Sequence, residues 1–193
     1  MRLYLARHGE SEGNVKRLFY GVTDLALTER GRAQARELGE KLAGVHIARC
    51  FVSPLSRADE TARLALAGRD VPIVTRRELI EQDMGDFENK GYEQLLAEYP
   101  EQVRGMLADW SQVPPPGGES FEQVSARTRS LLDEVLAENE DTLLVGHNGA
   151  LATLIIQLLD MQPRAVTHIW MLHGCYTSVD ISHGFVRLEY FNR

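Results

Sequence analysis

Two histidines stand at matching places in distant parts of the chain, and each could carry chemistry. Leu3-Tyr4-Leu5-Ala6 runs into Arg7-His8-Gly9, and Thr142-Leu143-Leu144-Val145 runs into Gly146-His147-Asn148-Gly149. An apolar run that stops at a histidine beside glycine puts an imidazole at the end of a buried strand. In open α/β sheets, that rim at the carboxyl ends of the strands is where ligands bind. Arg7 lies at the first strand end and Arg57 early in the helix expected after the second strand. Each offers a planar, permanently charged fork suited to phosphate oxygens. Two histidines and two arginines together describe a site for a phosphoryl group. With no evident metal-binding cluster, in-line transfer to a histidine nitrogen is the natural reaction. His8 is the candidate nucleophile, and Gly9 lets the backbone pass close to a bound group. Arg7 and Arg57 favour the neutral, nucleophilic imidazole and stabilise charge on the equatorial oxygens in the transition state. The leaving alkoxide needs a proton from a nearby carboxyl group of raised pKa. The acidic stretch offers Glu78, Glu81, Asp83, Asp86 and Glu88, and their spacing does not choose among them.

These groups need a frame. After the opening strand, 12–26 reads as a loop with turn residues Gly13, Asn14, Gly21 and Asp24. Thr28 is placed to cap a helix with Ala35, Leu38 and Leu42 on its buried side, and Gly44 stops it. A strand over 47–52 leads to Ser53-Pro54, where Pro54 can open a helix running to about Ala67; another strand follows over 71–75. This alternation predicts right-handed crossovers and a parallel sheet. The stretch 78–91 shows no clean period, and 92–110 returns to helix with a break at Pro100. Pro114-Pro115-Pro116-Gly117-Gly118 reads as a stiff loop, after which Ser120 caps a long amphipathic helix. The strand over 142–145 and a helix over 150–159 repeat the opening logic. Two alternating runs, 176–181 and 185–190, flank Ser182-His183-Gly184 as a hairpin, so one sheet edge is predicted antiparallel. The expected fold is α/β with three α/β/α layers, and the 193 residues are expected to form a single domain, 1–193.

The formal net charge of −7 argues against a general nucleic-acid binder, yet leaves room for a local arginine cluster facing an anionic small molecule. Cys50 and Cys175 suggest neither a disulfide framework nor a zinc site and read as small core residues. The longest apolar stretch, 150–159, falls well short of the roughly 20 residues that span a bilayer, and no leader segment is evident. A cytoplasmic protein without membrane partners or cofactors is expected.

Taken in order, the motifs resemble those of the histidine phosphatase superfamily, which includes the cofactor-dependent phosphoglycerate mutases. Arg7-His8-Gly9-Glu10-Ser11 with Asn14 is similar to its opening motif, and Gly21, Asp24 and Leu27-Thr28-Glu29-Arg30-Gly31 to the segment that follows. Ser53-Pro54-Leu55-Ser56-Arg57-Ala58 with Thr61-Ala62, Glu78-Leu79-Ile80-Glu81 with Gly85, and Gly146-His147-Asn148-Gly149 match the remaining three. The resemblance implies a phosphoglycerate mutase-like fold with His8 as the phosphohistidine nucleophile. Arg7, Arg57 and His147 would bind phosphoryl oxygens, and Glu81 would donate the proton. Asn14, Ser11, Gly21 and Asn148 would line the phosphate pocket. The resemblance implies a metal-free, cofactor-free hydrolysis of a small phosphate ester. Gly85-Asp86-Phe87-Glu88-Asn89-Lys90 leads straight into a helix without the inserted basic segment of the mutase branch, which favours phosphatase. Phe87 and Asn89 stand where the phosphatase pattern usually has tryptophan and glycine, a departure that bears on the pocket rather than on the reaction. His46, His168, His173 and His183 match no motif and read as surface or structural residues, with His173 the candidate exception because it lies near the last strands.

Overall fold

The computed structural model describes residues 1–193. In chain order the elements are β1 (Arg2–Arg7), α1 (Glu12–Val15), β2 (Leu18–Phe19), α2 (Glu29–Lys41), β3 (Arg49–Val52), α3 (Ser56–Ala65) and β4 (Ile73–Thr75). Then come β5 (Lys90–Gly91), α4 (Tyr92–Glu98), α5 (Pro100–Ala108), α6 (Phe121–Glu138), β6 (Thr142–Gly146), α7 (Asn148–Leu158), β7 (Tyr176–Ser182) and β8 (Phe185–Tyr190). Six strands form one sheet in the order β4-β3-β6-β1-β7-β8. β4, β3, β6 and β1 run parallel, while β7 and β8 pair antiparallel at one edge.

The period of two along the central strands builds the three layers. Leu3 and Leu5 of β1 pack with Leu144, with Leu131, Leu132 and Val135 of α6 and with Leu151, Leu154 and Ile155 of α7. Tyr4 and Ala6 turn to the other face, against Leu38 of α2 and Ala58, Ala62 and Ala65 of α3. A smaller cluster of Phe87, Leu95, Val103 and Met106 holds α4 and α5 over the carboxyl end of the sheet. Caps set the helix starts as the sequence predicts. Thr28 Oγ1 accepts the Gly31 N–H at 3.0 Å, and Ser120 and Gln123 exchange side-chain bonds to each other's backbone N–H.

Several local expectations are corrected. The predicted loop 12–26 holds the single turn α1 and strand β2, whose pairing with β5 across about 70 residues has no local signal. The aperiodic stretch 78–91 folds as two short 3₁₀ turns, Arg77–Leu79 and Gly85–Phe87, before β5. Pro54 does not open α3: it lies before the cap residue Leu55, and the helix ends at Ala65. Cys50 is buried as expected, but Cys175 is only half-buried, with Sγ 3.6 Å from Lys41 Nζ. No helix is long and apolar enough to cross a membrane.

Candidate active site

Strand register brings the two histidines together. Arg7 of β1 lies directly opposite Gly146 of β6, so His8 and His147 emerge side by side at the sheet's carboxyl rim, their ring centroids 5.0 Å apart. Both are buried. The backbone turn that allows this is tight: a Cβ on Gly9 would lie 2.2 Å from the Gly31 carbonyl oxygen.

Hydrogen bonding fixes both tautomers. His8 Nδ1 lies 2.7 Å from the Gly9 carbonyl oxygen, which can only accept, so Nδ1 carries the proton and Nε2 keeps its lone pair. Arg57 Nε can only donate and reaches His147 Nδ1 at 3.2 Å. The proton of His147 therefore sits on Nε2, 2.8 Å from Ser53 Oγ. Burial first, then Arg7 and Arg57, hold His8 well below the usual imidazole pKa. Burial, Arg57 and His8 do the same for His147.

That depression has a sign. In the unfolded chain both imidazoles titrate near pH 6.5, so as pH falls the unfolded state takes up protons that the folded state refuses. Their contribution to stability is present above pH 6.5. It is lost below, at up to about 1.4 kcal/mol per pH unit for each ring. Urea unfolding at pH 7.5, 6.0 and 5.0 should show this fall, and His8→Asn should lessen its slope by one imidazole's share.

The arginines are anchored by the backbone. Arg57 donates from Nη1 to the Thr23 carbonyl at 2.8 Å and from Nη2 to the Gly21 carbonyl at 2.7 Å. Its Cζ lies 4.7 Å from the centroid of the Tyr20 ring. Arg7 donates from Nη1 to the Met171 carbonyl at 2.7 Å and stacks 4.9 Å from the Trp170 ring. Arg7 Nε is buried without a partner.

Glu81 rises from the loop after the first 3₁₀ turn. Its Oε2 accepts the Gly149 N–H at the start of α7 at 3.0 Å, and its Oε1 the Gln82 N–H at 2.9 Å. A Cβ on Gly149 would lie 2.5 Å from Glu81 Oε1 and 2.6 Å from the Trp110 ring, so only glycine permits this approach. Gln82, wholly buried, accepts from Trp110 Nε1 and donates to the Glu119 carbonyl. Arg127 of α6 donates to the Glu78 carbonyl at 2.6 Å and to the Glu119 carboxylate at 2.7 Å, bracing the same loop.

A cavity of about 470 Å³ opens over these groups, with Arg7, His8, Asn14, Arg57, Glu81, His147 and Asn148 among its lining residues. Asn14 Oδ1 accepts from the Ser11 N–H and hydroxyl, each at 2.9 Å. Asn148 Oδ1 accepts the Met171 N–H at 2.9 Å, steadying the segment that holds Arg7. Ser11 and Gly21, expected in the pocket wall, do not line it. Ser11 is fully buried behind Asn14 and Tyr20, and Gly21 acts through its carbonyl on Arg57. His147 has both ring nitrogens engaged by protein, so an N–H to a phosphoryl oxygen requires exchange of its Ser53 bond. His173 lies with its ring centroid 5.6 Å from that of His8, its pKa lowered to about 3 by burial and by Arg7 and Arg30. His46, His168 and His183 are exposed.

Among the competing carboxylates, only Glu81 lines this cavity. Glu88 faces the loop that holds Arg57: Oε1 accepts N–H groups of Gly21 at 2.8 Å, Val22 at 3.0 Å and Met84 at 3.1 Å. Its Oε2 accepts from Thr23 N at 3.3 Å and Oγ1 at 2.5 Å. One carboxylate thus aims both carbonyls that grip Arg57. Glu88→Ala is expected to lower kcat/KM about 10²-fold, the order expected when a phosphate-binding group shifts by about 1 Å. An unchanged kcat/KM would show that the loop holds itself. Sequence reasoning missed this clamp, together with Ser53, Tyr20, Trp110 and Trp170. Ser53 alone had a signal, since it directly follows β3 at the same rim.

The model of the histidine phosphatase superfamily (branch 1) matches residues 3–193. An adenosylcobalamin/alpha-ribazole phosphatase of Salmonella typhimurium is 37% identical over 100% of this chain and 96% of its own. A 2,3-bisphosphoglycerate-dependent phosphoglycerate mutase of Parvibaculum lavamentivorans is 33% identical over 97% and 94%. The crystal structure of the alpha-ribazole phosphatase from Shigella flexneri superposes with a TM-score of 0.91 at 35% identity, covering 100% of this chain and 96% of that one.

Proposed function

The chain belongs to branch 1 of the histidine phosphatase superfamily, and from that premise we propose that it hydrolyses alpha-ribazole 5′-phosphate through a phosphohistidine on His8. The observation that carries the chemistry is the forced tautomer of His8, whose free Nε2 stands beside two buried guanidinium groups. Nε2 attacks phosphorus in line, and the P–O bond to the leaving group breaks as the P–Nε2 bond forms. Arg7 and Arg57 bind the equatorial oxygens, and a phosphoryl oxygen would satisfy the orphaned Arg7 Nε. Asn14 adds a further contact at the same pocket. Glu81 protonates the departing oxygen, then takes a proton from the water that attacks phosphorus and frees His8. His147 orients Arg57 and, on exchanging its Ser53 bond, contributes an N–H to the phosphoryl group. The residues 1–193 act as one catalytic domain, and no metal ion or cofactor enters the scheme.

Beyond the phosphoryl site the cavity favours a large, flat, apolar leaving group. Phe19, Tyr20, Met84, Met106, Trp110 and Trp170 form its walls, and Arg7, Arg57, His8 and His147 are the only basic residues lining it. A second phosphate or a carboxylate, as in a phosphoglycerate, would find no further cation there. The benzimidazole of alpha-ribazole suits such walls, and the relatives named for that substrate share the whole chain length. The segments Gly85-Asp86-Phe87-Glu88 and Gly174-Cys175-Tyr176-Thr177-Ser178-Val179-Asp180-Ile181 also resemble those of alpha-ribazole phosphatases.

A steady-state panel tests the assignment. The ester of alpha-ribazole should exceed 3-phosphoglycerate and simple sugar phosphates in kcat/KM by 10²-fold or more, about 2.7 kcal/mol of differential transition-state binding. A flat profile would replace it with a broad-specificity phosphatase of the same chemistry.

A further inference from the structure

One edge of the main sheet is left open in a form that soluble proteins usually avoid. β8 pairs only with β7, runs six residues, contains neither proline nor lysine to discourage strand addition, and has as its one irregularity a β-bulge at Glu189. Phe185, Val186, Leu188, Tyr190 and Phe191 on and just beyond it are 41–58% exposed. The opposite edge, β4, has only three residues.

From this edge we infer that β8 is a self-association surface, joining two copies of the chain into a continuous twelve-stranded sheet about a two-fold axis. The charge pattern of the strand selects both the occupant and the register. Phe185-Val186-Arg187-Leu188-Glu189-Tyr190 paired antiparallel with its own copy, with the axis at Leu188, sets Arg187 opposite Glu189 of the second copy, twice over. Moving the axis to Arg187 or to Glu189 would oppose like charges, and placing it between residues leaves the charges unmatched.

The two charges already share a face. Glu189 meets Arg2 at 3.1 Å and the Ser178 hydroxyl at 3.0 Å, while Arg187 reaches Asp180 of the same strand β7 at 3.8 Å. Pairing extends these into an alternating row from Arg2 through Glu189 to Arg187 and Asp180 of the second copy. No β8 residue lines the cavity over His8, so the two sites are independent.

Sedimentation velocity of the full chain from roughly 1 to 200 µM should show a monomer–dimer equilibrium that shifts to dimer with concentration. Arg187→Glu and Glu189→Arg should each sediment as monomers, with kcat/KM for an aryl phosphate within twofold of the parent. Mixed in equal amounts, the two variants should form a heterodimer, because each Arg187–Glu189 contact then regains opposite charges. Fold damage cannot mimic that recovery, since neither variant changes between the separate and mixed samples. A parent chain that stays monomeric, single variants that remain dimeric, or a mixture without heterodimer would each overturn the inference.

Discussion

His8→Asn is expected to abolish turnover, with a loss in kcat of more than about 10⁴-fold on every phosphate ester, while the fold persists. Asparagine is suited to this test because its side-chain N–H can replace the bond from His8 Nδ1 to the Gly9 carbonyl, leaving no nitrogen where Nε2 stood. In the parent enzyme, rapid mixing with a phosphate ester and quenching in base should trap a phosphoryl group on His8. The phosphoramidate bond survives base and is lost in acid, which separates it from a phosphoserine or an acyl phosphate. Residual hydrolysis by His8→Asn within tenfold of the parent would remove the covalent step.

The second large effect falls on Glu81 and depends on the substrate. Glu81→Gln removes the proton without removing the volume between Gly149 and Trp110. For an alkyl ester, whose oxygen must be protonated as it leaves, kcat/KM should fall by about 10²–10⁴-fold. For p-nitrophenyl phosphate, whose leaving group departs as an anion, kcat/KM should change by less than about tenfold. A burst of nitrophenol should then precede a slow steady state, because water attack on the phosphohistidine still lacks its base. Equal losses with both esters would mean that Glu81 only props the loop that carries it.

The contrast between these two residues shows what the sequence could reveal. His8 and His147 each follow an apolar strand and adjoin glycine, and a parallel sheet carries such strand ends to one rim. Strand register then sets them side by side, an outcome already implicit in the pattern. Arg57 was legible for the same reason, since it follows the strand β3 by one turn. Glu81 was not separable from Glu78, Asp83, Asp86 and Glu88 by composition or spacing, and only the family resemblance singled it out. What divides them is long-range: Gly149 turns Glu81 towards the cavity, and the loop 21–23 captures Glu88. Ser11 shows the opposite failure. It belongs to the opening motif, but its hydroxyl serves Asn14 and Tyr20 behind the wall. The aromatic walls come from segments with no local period, held by contacts such as Gln82 with Trp110 that join residues 28 apart.

The central place of β1 in the sheet has a consequence for how the molecule is made. Its hydrogen-bonding neighbours are β6 and β7, and the nearer of them begins about 135 residues downstream. At a synthesis rate of about 5–20 residues per second, Leu3, Tyr4, Leu5 and Ala6 leave the ribosome roughly 7–27 s before a strand exists to pair with them. Such non-local pairing slows folding and exposes an apolar segment while it waits. Arg7 and His8 are thus among the first functional groups synthesised and the last to be set in place, and a ribosome stalled before Thr142 would hold a chain with no active site.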